Sequence, residues 1–206
     1  IHSYLSFCGI EGMKVKLLKV QRQAFLDESR ELSEAEYKRL LVAAQSKGNE
    51  RLYLLMMTIC GTGIRVSELV YITVEAARQG RAQIRMKGKC RTIMIPKDLC
   101  KKLIVYAKVN SITEGHIFRT KSGRPLDRTN ICHDMKKLCK DARVDSRKVF
   151  PHNLRHLFAR TFYAIEKNLA HLADVLGHCR IETTRIYVAV SATAHERILN
   201  KMKLIV

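Results

Sequence analysis

Four basic side chains, His152, Arg155, His156 and Arg160, interrupt an otherwise apolar helical pattern in the stretch VFPHNLRHLFARTFY, Val149 to Tyr163. Leu154, Leu157, Phe158 and Phe162 recur at helical spacing, and Pro151 suits the first helical position, where its missing N–H costs nothing. His152 and Arg155 lie three apart and project from one side, near the positive end of the helix dipole. Such a pair suits an anion. Other groups able to handle anionic chemistry stand elsewhere: Arg65 with Glu68, Lys87 and Lys89 around Gly88, His178 after Gly177, and Tyr187. Each alone has an ordinary reading. Arg65 can be a helix-end arginine paired with Glu68, the lysines a solvated hairpin tip, the histidines caps or satisfied core groups, and Tyr187 a half-buried core residue between Ile186 and Val188.

Composition narrows the partner. The chain has 206 residues, nearly half of them hydrophobic, which is enough for a substantial core. Thirty-eight Lys and Arg against nineteen Asp and Glu leave a net charge of +19, spread along the chain, so nucleic acid is the leading partner. A membrane surface fits less well: Trp is absent and no apolar run reaches a membrane span. The opening IHSYLSFCG does not read as a signal peptide. Seven cysteines include no C-x-x-C pair, which argues for reduced thiols in a cytosolic compartment and against a zinc knuckle or disulfide frame.

The elements that must position these groups follow from spacing and caps. Residues 1–10 read as the tail of an upstream unit and residues 11–31 as a linker, with a compact domain over 32–206. Ser33 and Glu36 form a capping-box pattern before a helix ending at Gly48. A strongly apolar helix over Asn49 to Cys60 stops at Gly61-Thr62-Gly63, and a short helix over Ile64 to Val70 holds Arg65 and Glu68. Ala82, Ile84 and Met86 alternate, a turn spans Lys87 to Cys90, and a second strand runs from Arg91 to Ile95 before Pro96. Further helices are expected over Asp98 to Val109, from Asp127 to about Ala142, through the Pro151 segment, and over Asn168 to Leu176, Ile181 to Val188 and Ser191 to Met202. Ile117-Phe118 reads as a short third strand and Lys121 to Pro125 as a turn. The fold class expected is α+β, mainly helical, with a small antiparallel sheet.

Read together, five ordered pieces carry a resemblance. They are Gly61 to Leu69 (GTGIRVSEL), the basic hairpin at Lys87, His152 to His156 (HNLRH), Leu176-Gly177-His178, and Thr183 to Tyr187 with the tyrosine nine residues after His178. This set resembles the tyrosine recombinase (phage integrase) family over about Leu32 to Met202, and five motifs in order are far more specific than any one. The resemblance implies that Tyr187 is the nucleophile, that Arg65 and Arg155 grip the scissile phosphate, and that Lys87, with Lys89 as the alternative, protonates the leaving 5′ oxygen. It further implies that His152 is a general base or phosphate ligand and His178 a phosphate hydrogen-bond donor. Glu68 would orient Arg65. His156 is assigned to support, Arg160 to the surface or DNA, and His116, His133, His171 and His195 to no function.

Physical chemistry is compatible with those roles. Charge in a transferring phosphodiester gathers on non-bridging oxygens, which planar guanidinium groups can hold two at a time. A phenol ionising near pH 10 needs cations or a base beside it to act as a nucleophile at neutral pH. A phosphotyrosine stores the bond, so rejoining should need neither ATP nor metal, and no cofactor is expected. The implied partners are double-stranded DNA, clamped through Lys121, Arg124, Arg128 and Lys136, and further copies of the chain in a tetramer on paired sites. A helix over about 191–203, with Ile198, Leu199 and Met202 as its docking face, would be exchanged between copies. The expected role is integration or excision of a phage or conjugative element in the bacterial cytoplasm, at the nucleoid. The alternatives are a Xer-like chromosome-resolving recombinase, a type IB topoisomerase and a non-catalytic DNA-binding relative.

Overall fold

The computed structural model describes residues 7–9, 28–86, 89–120, 122–178, 180–185, 187 and 201. Ser33 opens helix α1 (Glu34–Ser46) with the reciprocal cap the sequence predicts: its hydroxyl accepts the Glu36 N–H at 3.2 Å and its own N–H donates to the Glu36 carboxylate at 2.8 Å. Asn49 caps helix α2 (Glu50–Thr62), whose apolar residues, with Leu54, Met56 and Ile59 fully buried, form the centre of the core. This helix does not stop at Cys60; it continues through Gly61 to Thr62 because the first residue in the left-handed region is Gly63, at φ 66°. Buried Thr58 and Thr62 satisfy their hydroxyls on the carbonyls of Leu54 and Thr58.

Gly63 is constrained twice, by its positive φ and by a neighbour: an added Cβ would lie 2.4 Å from the Phe158 ring. Gly63→Ala is therefore expected to cost about 2–4 kcal/mol, from left-handed strain plus overpacking, read as a lower urea midpoint.

After Gly63 the expected short α-helix is a 3-10 helix over Val66–Tyr71, with Arg65 extended at its start. A helix too short for the sequence reading follows: α3 (Val74–Gln79), capped by the Thr73 side chain and ended by Gly80. Strands β1 (Arg81–Met86) and β2 (Lys89–Met94) pair antiparallel from Arg81↔Met94 to Met86↔Lys89, so Lys89 and Cys90 belong to a strand rather than to the turn. Ala82, Ile84 and Ile93 are buried, and Arg91, opposite Ile84, shares their inner face.

Helix α4 (Lys97–Val109) packs Leu99, Leu103 and Ala107 toward α2 and α3. Ile117 and Phe118 do not form a third strand. Both are fully buried, and their stretch makes only an isolated bridge at Thr73↔His116, with the Ile117 N–H on the Ile72 carbonyl. Two consecutive buried residues lack the alternation that a sheet strand requires. Asp127 caps a helix as expected, but the helix divides into α5 (Arg128–Lys136) and α6 (Cys139–Ala142). The Leu138 N–H takes the Met135 carbonyl, a tightened turn that breaks the α-helical register.

Helix α7 (Pro151–Glu166) begins with proline at its first position, and the Asn153 amide ties that end to the carbonyls of Arg30 and Lys148, each at 2.7 Å. Leu154 and Leu157 enter the main core, as expected. Helix α8 (Leu169–Leu176), capped by Asn168 and ended by Gly177 at φ 65°, is followed by α9 (Ile181–Arg185) and by Tyr187 in 3-10 conformation; Ile186 and Val188, the rest of the expected Ile181 to Val188 helix, lie outside the described residues. A second, smaller apolar cluster joins Ala159, Leu172, Leu176 and Tyr187, with Phe158 and Phe162 beside them. The predicted exchange helix, Lys201 excepted, lies outside the described residues, as do Lys87, Lys121, His195 and most of residues 1–27. Among the described residues, no helix is long and apolar enough to cross a membrane.

Candidate active site

Arg155 is the pivot of the site. It is 1% exposed, and its guanidinium is pinned between two helix ends: Nη1 donates to the Gly63 carbonyl closing α2, at 2.5 Å, and Nη2 to the Leu176 carbonyl closing α8, at 2.8 Å. Carbonyls there carry the negative end of the helix dipole, so a buried cation is a natural cap for both. Burial and the nearby Arg65 charge lower the Arg155 pKa to about 10, against the favourable pull of charge and hydrogen bonding at Tyr187, so the group stays cationic near neutral pH. Its Nε has no partner among the described residues.

Tyr187 lies beside this cation, 5% exposed, with its ring in the smaller apolar cluster. Three histidine rings surround it: His156 at 4.5 Å and His152 at 5.8 Å, both edge to face, and His178 stacked at 5.4 Å. His178 also links back to Arg155, whose Nη2 is 3.0 Å from His178 Nε2. His178 Nδ1 is 2.8 Å from the Thr184 hydroxyl.

His152 keeps an outer edge open to solvent, yet its ring is pushed from 6.5 to about 4 by removal from water, then by the charges of His156, Arg155, Arg128 and Arg65. His178 is also pushed to about 4, by burial first and then by Arg155, Arg65 and Arg91. Both are neutral bases at pH 7. Because the unfolded chain takes up these two protons first, folding stability should be full above about pH 6.5 and fall as pH drops toward about 4. Urea unfolding across that window checks this, and His178→Gln should flatten the slope.

Arg65 reaches the site through Glu68, which is 2% exposed. One carboxylate oxygen accepts the Arg65 side chain at 2.9 Å; the other accepts the Arg65 backbone N–H at 2.7 Å and Arg91 Nη2 at 2.6 Å. Arg91 in turn donates to the Val175 carbonyl at 2.6 Å and fills the space where a Cβ on Gly177 would stand, 2.6 Å from Arg91 Cδ. One guanidinium thus ties β2, the Arg65 segment and the turn before His178 together. Glu68→Gln leaves two arginines facing a neutral amide. Breaking a buried pair costs about 3–5 kcal/mol, and Arg65 is partly solvated, so about 2–4 kcal/mol and a Tm drop of roughly 5–15 °C are expected. Adding Arg91→Met to Glu68→Gln should recover part of that loss.

The structure therefore brings together Arg65, Glu68, His152, Arg155, His156, His178 and Tyr187, which span 123 positions of sequence. Lys89 starts β2 opposite Met86; Lys87 and Lys121 lie outside the described residues. Arg128, first in α5, adds its charge to the field at His152, while Arg124 and Lys136 are exposed. Arg160 is half-buried and paired: it donates to the Leu32 carbonyl at 2.5 Å and stands 3.6 Å from Glu31, whose other oxygen meets His156 Nδ1 at 3.1 Å.

Sequence reasoning missed Glu31, Arg91 and Thr184. Arg91 had a signal, a charge on the inward parity of Ile93 and Ile95, which demands a buried partner. Glu31 and Thr184 had none, because their partners are distant or depend on how a ring is turned.

Comparison with known proteins identifies the family and the fold. The phage integrase family matches residues 30–194. Tyrosine recombinase XerH of Campylobacter jejuni is 33% identical over 195 residues, covering 91% of this chain and 52% of that protein, so the chain spans about half the length of this relative. Tyrosine recombinase XerA of Pyrococcus furiosus is 29% identical over 200 residues, covering 93% of this chain and 68% of that protein. The crystal structure of a XerA recombinase superposes with a TM-score of 0.71 at 24% identity, over 98% of this chain and 73% of that one. The Tn1549 transposon integrase in complex with transposon right end DNA gives 0.65 at 17%, over 90% and 67%. At those identities the structural likeness is one of fold. With a family match that runs across every element meeting at Tyr187, the chain belongs to the phage integrase family.

Proposed function

We propose that this chain is the catalytic unit of a site-specific DNA recombinase that cuts and rejoins strands through a covalent 3′-phosphotyrosine. The observation that carries the reading is the position of Tyr187, beside the Arg155 cation and against the rings of His152, His156 and His178 of the same chain. Tyr187 attacks the scissile phosphorus, and the DNA 5′ oxygen leaves with a proton from Lys87 or Lys89 of the hairpin. Arg65 and Arg155 hold the non-bridging oxygens as charge builds on them. His152, neutral at pH 7, accepts the phenolic proton or binds the phosphate. The reverse attack by a DNA 5′ hydroxyl releases Tyr187 and reseals the strand.

The chain's +19 charge supports binding to the duplex backbone, with Lys89, Lys121, Arg124, Arg128 and Lys136 as its contacts. A core-binding unit whose tail is residues 1–10, a linker over 11–31, a tetramer on paired sites and exchange of a helix over about 191–203 complete the reading, as does a place at the bacterial nucleoid. Integration or excision of a phage or conjugative element is the preferred role. The curated relatives named XerH and XerA favour a Xer-like recombinase as the second.

The test is incubation with a pool of nicked duplexes of randomised sequence, followed by denaturing isolation and sequencing of covalent adducts. Convergence on one motif supports a recombinase, and its match to an element end or to a chromosomal locus separates the two roles. Adducts without sequence preference point to a topoisomerase. Binding without adducts points to a non-catalytic relative.

A further inference from the structure

His178 is held at both ring nitrogens, and its two partners fix where its proton sits. Arg155 Nη2 can only donate, so His178 Nε2, 3.0 Å away, accepts. The remaining ring proton of the neutral imidazole is then on Nδ1, which donates to the Thr184 hydroxyl at 2.8 Å. This is the opposite of what a phosphate needs. To donate to a phosphate oxygen, His178 must carry its proton on Nε2, the nitrogen that now faces Arg155.

The partner at Nδ1 decides whether that change is open. A carboxylate or carbonyl in this place only accepts, and would lock the proton on Nδ1. A hydroxyl accepts or donates by turning about one bond. Thr184 is fully buried, so no water competes for its hydroxyl, and α9 fixes its backbone.

We propose that Thr184 is a positioning residue that holds the His178 ring in one orientation through both neutral tautomers. Without DNA its hydroxyl accepts from Nδ1–H. When a phosphate draws Arg155 toward itself, Nε2 takes a proton from water, the half-buried ring gives up its Nδ1 proton to water while the bond to Thr184 is briefly open, and the Thr184 hydroxyl then closes back as donor to Nδ1. The ring gains no charge, and Nε2–H faces the phosphate. This inference rests on the recombinase reading for the identity of the anion, but the tautomer and its partner are measurable without any reaction.

The test is nitrogen NMR of the imidazoles in protein labelled with nitrogen-15 histidine, with His178→Gln used to assign the signal. The full chain without DNA should show His178 as the Nδ1–H tautomer, and adding a short nicked duplex of mixed sequence should move it to Nε2–H. Thr184→Val, nearly the same shape without the hydroxyl, should lose the fixed Nδ1–H signal and slow adduct formation about tenfold to a hundredfold, by analogy with the loss when a group orienting a metal-bound histidine is removed. Thr184→Ser should restore both. A free-protein signal at Nε2–H, a signal unmoved by the duplex, a Thr184→Val protein with the wild-type signal, or a folded Thr184→Ser protein that behaves like Thr184→Val would each overturn the proposal. If wild-type protein forms no adduct at all, the recombinase reading fails, while the signals of the free protein and of the two variants still decide the role of Thr184.

Discussion

Tyr187→Phe should abolish the covalent DNA adduct while leaving the fold and the affinity for duplex DNA close to those of the unaltered chain. The ring of Tyr187 belongs to the smaller apolar cluster with Ala159, Leu172 and Leu176, and phenylalanine keeps that packing. What is lost is one hydroxyl beside Arg155. A hydrogen bond to a charged group contributes about 1.5–3 kcal/mol, so the unfolding midpoint should fall by no more than that loss allows while the fold is kept. The chemistry has no substitute: the neighbouring rings are histidines held neutral or paired with Glu31, and none is placed where the phenol oxygen stands. Denaturing electrophoresis with labelled nicked duplex reads the adduct, and urea unfolding reads the fold. A Phe variant that still formed the adduct would require another nucleophile.

Arg155→Ala should have the larger structural effect of the two. Its removal leaves the carbonyls of Gly63 and Leu176 without their donor inside the core and frees His178 Nε2. Unpaired buried acceptors and the cavity together are expected to cost about 3–5 kcal/mol. Adduct formation should fall by at least about 10²–10³, the usual loss when one preorganised donor to a transition-state oxyanion is deleted. Arg155→Lys separates structure from catalysis. An ammonium keeps the charge but cannot serve two carbonyls and a phosphate from one plane. This variant should recover much of the stability and little of the rate. Recovery of both would mean that charge alone, without the guanidinium fork, is what the site requires.

The balance between what the sequence disclosed and what it hid follows from the range of the interactions. Caps are local, so Ser33 with Glu36, Asp127 and Pro151 were legible from the sequence. The pair Arg65 and Glu68 was legible for the same reason, being three residues apart. Breaks inside a helical pattern were not: Leu138 is apolar and correctly spaced, and only a tightened turn separates α5 from α6. Ile117-Phe118 misled because short apolar runs look alike in a strand and in a buried loop. The pairing of Arg160 was hidden because nothing near it in sequence announces Glu31, 129 positions earlier. The family motifs named the groups that gather around Tyr187. The side chains that hold those groups, Arg91 behind Arg65 and Thr184 behind His178, became visible only when distances placed them.

The central claim is that the Tyr187 oxygen becomes bonded to a DNA phosphate. The most direct measurement is to isolate the adduct from a nicked duplex, digest both protein and DNA, and locate the remaining nucleotide by mass spectrometry. The account predicts a single peptide carrying a nucleotide joined through its 3′ phosphate to Tyr187. A nucleotide on any other side chain, or a linkage through a 5′ phosphate, would contradict it.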